Sequence, residues 1–196
     1  MEETLILNFS LIMIINSILM IVVIGISVLA LIWMGMYLWS ELKHFFYGEA
    51  PTISTYTAHY ELMKENLILE DDKSLIDLGC GTGSAMRFFQ KNYKLKTIDG
   101  VDNNYTAVVI GRILNKINHY DDINLFCSDI ESKDISGYDY IYLFLLPEHL
   151  DVLQSRLLKN MKSDAIIICN TFAFSDWKPM REYHNNTSAT IRMYQQ

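Results

Sequence analysis

Two carboxylates and three glycines carry the first chemical reading of this chain. Gly79, Gly81 and Gly83 alternate through the stretch SLIDLGCGTG at residues 74–83, with Asp77 just ahead of them. Asp102 closes the next apolar segment, which runs from Leu95 to Val101. Glycine is needed where a loop turns sharply and its backbone must approach a ligand with no Cβ in the way. An acid at the tip of the following strand can hydrogen-bond the hydroxyl pair of a ribose. The chemistry in view is recognition of a nucleoside-like ligand by backbone N–H groups and carboxylates. The dinucleotide fingerprint G-x-G-x-x-G does not fit, because its third glycine falls on Ser84 and it has no use for Asp77.

The elements that must hold these residues follow from hydrophobic period. Leu75, Ile76 and Leu78 read as a short strand ending at the glycine loop, and Ala85 to Gln90 as the start of a helix. After Asp102, Asn103-Asn104 opens a helix to about Asn118, with Val108, Val109, Ile113 and Ile117 predicted to face inward. Residues 123–127 form a third strand, followed by Asp129. Residues 140–146 (YIYLFLL) and 165–169 are unbroken apolar runs, the mark of parallel strands covered on both faces. The first run stops at Pro147-Glu148-His149, a helix follows to about Met161, and Ala189 to Tyr194 reads as an edge strand. Strands alternating with helices predict an α/β, Rossmann-like, mostly parallel sheet. A helix from Tyr56 to Leu67, capped by Ser54 or Thr55 after the break at Pro51, precedes the first strand.

With both acids in place, the loop resembles the first motif of the class I S-adenosylmethionine-dependent methyltransferases, acid-x-G-x-G-x-G. That resemblance implies a cofactor site made by Asp77, Gly79, Cys80, Gly81, Gly83, Asp102 and Asn103. Asp77 would lie at the methionine end and Asp102 at the ribose, while Asp129 would serve the adenine amino group. The flanking blocks narrow it further. LPEHL at 146–150 and NTFAFSDWKP at 170–179, behind an apolar amino-terminal helix, resemble the small membrane-anchored protein-lysine methyltransferases of mitochondria and their archaeal relatives. The likeness covers about residues 51–179. Cys80, Thr82 and an Asp rather than a Glu at 102 depart from the usual pattern.

A lysine acceptor must lose its proton before it attacks a sulfonium methyl, and an apolar pocket lowers its pKa by disfavouring the ammonium. Candidates come from the carboxyl ends of the fourth and fifth strands. Glu148 either positions the ammonium and takes its proton or is a helix-start acid favoured by the macrodipole. Asn170 either orients the amine or closes a turn. Trp177 and Phe172 either wall the substrate or pack in the core, and aromatic faces can hold an amine and its methylated forms.

Bulk properties bound the partners. The formal charge of −7 provides no basic field for a polyanion, so nucleic acid is not an expected partner. The three cysteines, 80, 127 and 169, lack disulfide or zinc spacing, read as free buried thiols of a reducing compartment, and no metal site is expected. Residues 4–40 carry no charge, ample for one crossing of a bilayer core, with Trp33, Tyr37 and Trp39 where an interfacial belt would lie. The expected organisation is a membrane anchor at 1–40, a connector at 41–55 and a methyltransferase domain at 56–196. Lys43 and His44 on the carboxyl flank favour a single pass with the catalytic domain on the cytosolic side. The function expected is methylation of lysine in a membrane-associated protein. The alternatives are a small apolar or lipid substrate, or a cofactor-binding scaffold without turnover.

Overall fold

The computed structural model describes residues 2–47, 57–186 and 189–196, and the chain divides into two units, Met1–Glu49 and Ala50–Gln196. The first is a single α-helix, α1 (Glu2–Tyr47). Its apolar span Ile12–Trp39 is 28 residues long with none of it buried. At 1.5 Å per residue that is about 42 Å, against a bilayer core of about 30 Å. The Ser17 and Ser27 hydroxyls donate to the carbonyls of Met13 and Val23 (2.9 Å each), so neither is left unsatisfied in apolar surroundings. Trp33 stacks on Tyr37 one turn later. The helix continues through residues 41–47, the first part of the expected connector. The remainder of that connector, including Pro51 and the caps Ser54 and Thr55, lies outside the described residues.

The second unit is built on a seven-stranded sheet in the order β3-β2-β1-β4-β5-β7-β6. Its strands are β1 (Ser74–Leu78), β2 (Thr97–Asp102), β3 (Ile123–Cys127), β4 (Tyr140–Leu143), β5 (Ile166–Asn170), β6 (Arg181–His184) and β7 (Thr190–Tyr194). The first five are parallel, and β7 joins β5 antiparallel. The helices are α2 (Thr57–Asn66), α3 (Ser84–Asn92), α4 (Tyr105–Ile117) and α5 (Pro147–Asn160). Alternate residues of the central strands feed two cores. Leu75, Tyr142, Ile168 and Ile191 pack with Met63 of α2, Met86 and Phe89 of α3 and Val108 of α4. Ile76, Ile141, Ile167 and Tyr194 pack with Leu150, Leu153 and Leu157 of α5. Each such aliphatic or aromatic side chain contributes roughly 1.5–3 kcal/mol by burial. The chain order reverses between β1 and β4, and ligands of open α/β sheets bind beyond the carboxyl ends of the strands at such a point.

Four expectations need correction. The strand at 190–194 is interior, and the edge is β6, whose polar REYH gives no alternating signal because most of it is exposed. β4 is shorter than the apolar run that contains it. On α4 the inward face is Ala107, Val108, Gly111 and Asn115, while Ile113 and Ile117 are exposed. Cys127 is exposed, and only Cys80 and Cys169 are buried.

Candidate active site

Beyond β1 the backbone enters the left-handed region at all three glycines, with φ of 87° at Gly79, 53° at Gly81 and 76° at Gly83. A Cβ on Gly79 would sit 2.7 Å from the Leu145 side chain. The loop is pinned to β2, because the Gly79 and Cys80 N–H groups donate to the Val101 carbonyl (2.8 and 3.1 Å). α3 then starts from Gly83 with no side-chain cap. An uncapped helix start presents backbone N–H groups and a partial positive charge to whatever occupies the loop.

Asp102 faces this loop. Its Oδ2 accepts the Gly81 N–H at 2.7 Å and its Oδ1 the Asn104 N–H at 2.8 Å. A carboxylate has about four lone-pair sites, so each oxygen retains capacity for a ribose hydroxyl. Asn103 is exposed beside it. The Ser128 N–H donates to the Asp102 carbonyl (3.1 Å), which joins the loop after β3 to the same edge. In that loop Asp129 is exposed and its Oδ1 accepts the Glu131 N–H at 2.9 Å. Asp77 is 2 % exposed. Burial, and then the negative charge of Asp102, push its carboxyl well above the usual carboxylate range. A positive charge arriving between these acids would relieve both effects, whereas a thiolate at Cys80 would add to them. The Cys80 thiol is accordingly pushed strongly up, chiefly by its own burial, and is no nucleophile. Among the described residues no cluster of His, Cys, Asp and Glu could hold a metal ion.

The support behind the loop escaped the sequence reading. A Cβ on Gly111 of α4 would lie 2.8 Å from the Thr82 carbonyl oxygen and 2.7 Å from Leu125, so helix and loop touch through bare backbone. Arg87 of α3 donates from one nitrogen to the Thr82 carbonyl (2.7 Å) and to Asn115 Oδ1 (2.9 Å). Gly111 and Asn115, one turn apart in a helix that otherwise reads as apolar, were the available signal.

The ends of β4 and β5 hold a second group of side chains. Asn170, 1 % exposed, donates from Nδ2 to the Tyr142 hydroxyl at 2.8 Å, and its Oδ1 accepts the Thr171 hydroxyl at 3.1 Å. Tyr142 stands in register with Asp77 on the neighbouring strand, which sets the two buried side chains on the same face of the sheet. Phe144 stacks on Phe172, ring centres 6.1 Å apart, and His59 of α2 lies 6.3 Å from Phe144. Glu148 is exposed in the first turn of α5. Trp177 belongs elsewhere, since its ring packs on Phe174 and Tyr194 in the α5-side core, across the sheet from Asn170.

Solved structures with this architecture include an RNA methyltransferase from Salinibacter ruber in complex with S-adenosyl-L-homocysteine. It is 21 % identical, covers 73 % of this chain and 93 % of its own, and aligns with a TM-score of 0.66. A ribosomal protein L11 methylase from Lactobacillus delbrueckii subsp. bulgaricus is 16 % identical over 71 % of this chain and 78 % of its own, with a TM-score of 0.59. No curated protein sequence matches. These likenesses show the fold, the Rossmann-like sheet of the class I methyltransferases. Residues 77–181, more than half of the chain, match the family described as the ANTKMT methyltransferase domain, and the chain belongs to that family of adenine nucleotide translocase lysine methyltransferases. It is an S-adenosylmethionine-dependent enzyme of a membrane-associated, protein-lysine-methylating family.

Proposed function

We propose that this enzyme is anchored by α1 as a single pass with its catalytic unit on the cytosolic side, and that it methylates lysine in a protein of the same membrane. The buried carboxylate of Asp77 beside the glycine cradle, charged at a cost unless a cation joins it, is the observation that carries the reading. The residues fit the cofactor. Asp77 would compensate the ammonium of its methionine end, Gly79 to Gly83 and the start of α3 would pass its backbone closely, and Asp102 with Asn103 would hold the ribose. Asp129, one strand further on, is assigned to the adenine. When bound, S-adenosylmethionine supplies an electrophilic methyl on a sulfonium.

What remains for the protein is alignment and a dry, weakly polar approach. Phe144 and Phe172 provide an aromatic surface on which an amine and its methylated forms are held by cation–π attraction. Desolvation there favours the neutral amine that can attack. Asn170 is the group at the sheet end that orients it. Glu148, exposed on the first turn of α5, attracts the incoming ammonium. An anchor that keeps enzyme and target in one plane raises their effective concentration. Lys43 and His44 on the carboxyl flank, and the buried free thiols Cys80 and Cys169, support the cytosolic placement.

The test is labelled S-adenosylmethionine with purified full-length protein and membranes from a strain lacking the gene. Methyl-lysine should form on protein with the wild type and vanish with Asp77→Ala and Asp102→Ala. Label confined to extracted lipid, or equal labelling by both variants, overturns the proposal.

A further inference from the structure

The least ordinary backbone in the catalytic unit outside the glycine loop lies at the end of β5. Thr171 has φ 68°, a conformation that a β-branched residue rarely adopts, and the Phe172 N–H donates back to the Asn170 carbonyl at 2.8 Å across it. A three-residue hydrogen bond around a central residue of positive φ has the character of the rare, strained γ-turn. Such strain persists only where the surroundings over-determine it, and it gathers at functional sites. Here the Thr171 N–H donates to the Thr190 carbonyl (2.8 Å) and its own carbonyl accepts from Arg192 (2.7 Å). The third restraint comes from α2, where His59 Nε2 lies 3.0 Å from the Thr171 hydroxyl oxygen. His59 is itself buried, and burial lowers its pKa.

The contacts form a directed chain. The hydroxyl of Thr171 has one proton: when it goes to Asn170 Oδ1 the hydroxyl can only accept towards His59, and that arrangement is the one in which His59 Nε2 carries a hydrogen. Asn170 then turns its Nδ2 to Tyr142, the residue in register with Asp77. Were Nε2 bare, the Thr171 proton would go to the imidazole and the carboxamide of Asn170 would be equally content reversed. The N–H of one histidine therefore decides which end of a buried amide is which.

We propose that His59 is a positioning residue for the methyl acceptor. Through Thr171 it holds the Asn170 carboxamide with its carbonyl oxygen, the only end that can accept a hydrogen bond from an amine, at the strained turn. The assignment rests on the acceptor role given to Asn170 above. His59 takes no proton from the substrate and touches neither substrate nor cofactor.

The experiment uses the full chain in detergent, labelled S-adenosylmethionine and membranes from a strain lacking the gene. The rate of methyl-lysine formation is measured beside cofactor affinity by calorimetry. Thr171→Val keeps the shape and the strained φ but removes the hydroxyl. It and His59→Phe should lose about tenfold or more in rate, as misplacement of a reacting group does, with cofactor affinity within about threefold of wild type. His59→Gln and Thr171→Ser, which keep the donor and the hydroxyl, should stay within about threefold of the wild-type rate, with the same ratio of mono- to multiply methylated lysine. Wild-type rates in Thr171→Val and His59→Phe overturn the proposal, as does lost cofactor affinity in Thr171→Val. Loss in His59→Gln equal to that in His59→Phe also overturns it, because His59 would then be a proton acceptor. Asn170→Ala at the wild-type rate would instead sink the acceptor role on which the proposal stands.

Discussion

The two halves of the crevice are made by different means. The β1–β2 side is built from backbone: three glycines at positive φ, N–H groups pinned to Val101, and a carboxylate that accepts from the loop it faces. The β4–β5 side is built from side chains, with His59, Thr171, Asn170 and Tyr142 linked by hydrogen bonds between residues as much as 112 apart in sequence. A backbone cradle suits a ligand of fixed shape, whereas a side-chain network can be retuned for one acceptor or another. Changes on the first side should therefore act on cofactor affinity, and changes on the second on methyl transfer.

The largest effect that would break this division is expected from Asp102→Ala. It removes the acceptor for two loop N–H groups and, on the role proposed for it, for the ribose, each a charged hydrogen bond of about 1.5–3 kcal/mol, so cofactor Kd should rise about 100-fold by calorimetry. Gly111→Ala comes next. The added methyl meets the Thr82 carbonyl, and overpacking of this kind costs about 1–3 kcal/mol, to be read as a lower Tm and a Kd weakened about tenfold. Equal affinity in either variant would erase the contrast.

Asp77→Asn sharpens it. The folded carboxyl keeps its proton to higher pH than the unfolded one, whose ordinary value is 3.8. Burial of the charge thus subtracts stability increasingly as pH rises above about 4. Without cofactor, Asp77→Asn should melt several degrees above wild type at pH 8, with the gap closing towards pH 4, while binding the cofactor more weakly. The smallest effect is expected at the opposite end of the strands. Asp139 is pushed up by burial, but Lys162 and the Ser74 N–H and hydroxyl outweigh that and hold it at about 2. Its stabilisation is present above 3.8 and is lost as pH falls from there to about 2. Lys162→Met should reduce that acid-induced loss by less than about 1 kcal/mol and leave methylation at pH 7 unchanged.

How much was legible in sequence follows the same division. Gly79, Gly81, Gly83, Asp77 and Asp102 stand close together in the chain, and each residue type is dictated by local backbone geometry, so the motif could be read directly. The strands β4 and β5 were visible as apolar runs because both their faces are buried. The edge strand β6 was not, since an exposed strand owes its place to pairing with β7 and has no apolar pattern. Ile113 and Ile117 misled because Gly111 and Asn115, of no hydrophobic weight, take the inward face for close approach. His59 and Thr171 were invisible for a tertiary reason: no local pattern marks a pair that meets only when α2 packs across the end of β5.

The buried acid at the tip of β1 also has a bearing on the cell. If Asp77 meets the cationic cofactor as proposed, the protein is least durable when empty, because binding to the folded state alone adds stability in proportion to the logarithm of supply. Quality-control proteases act on the small fraction that opens, so the amount of this enzyme should fall when methyl-donor levels fall. Abundance would then follow nutritional state without any dedicated regulator.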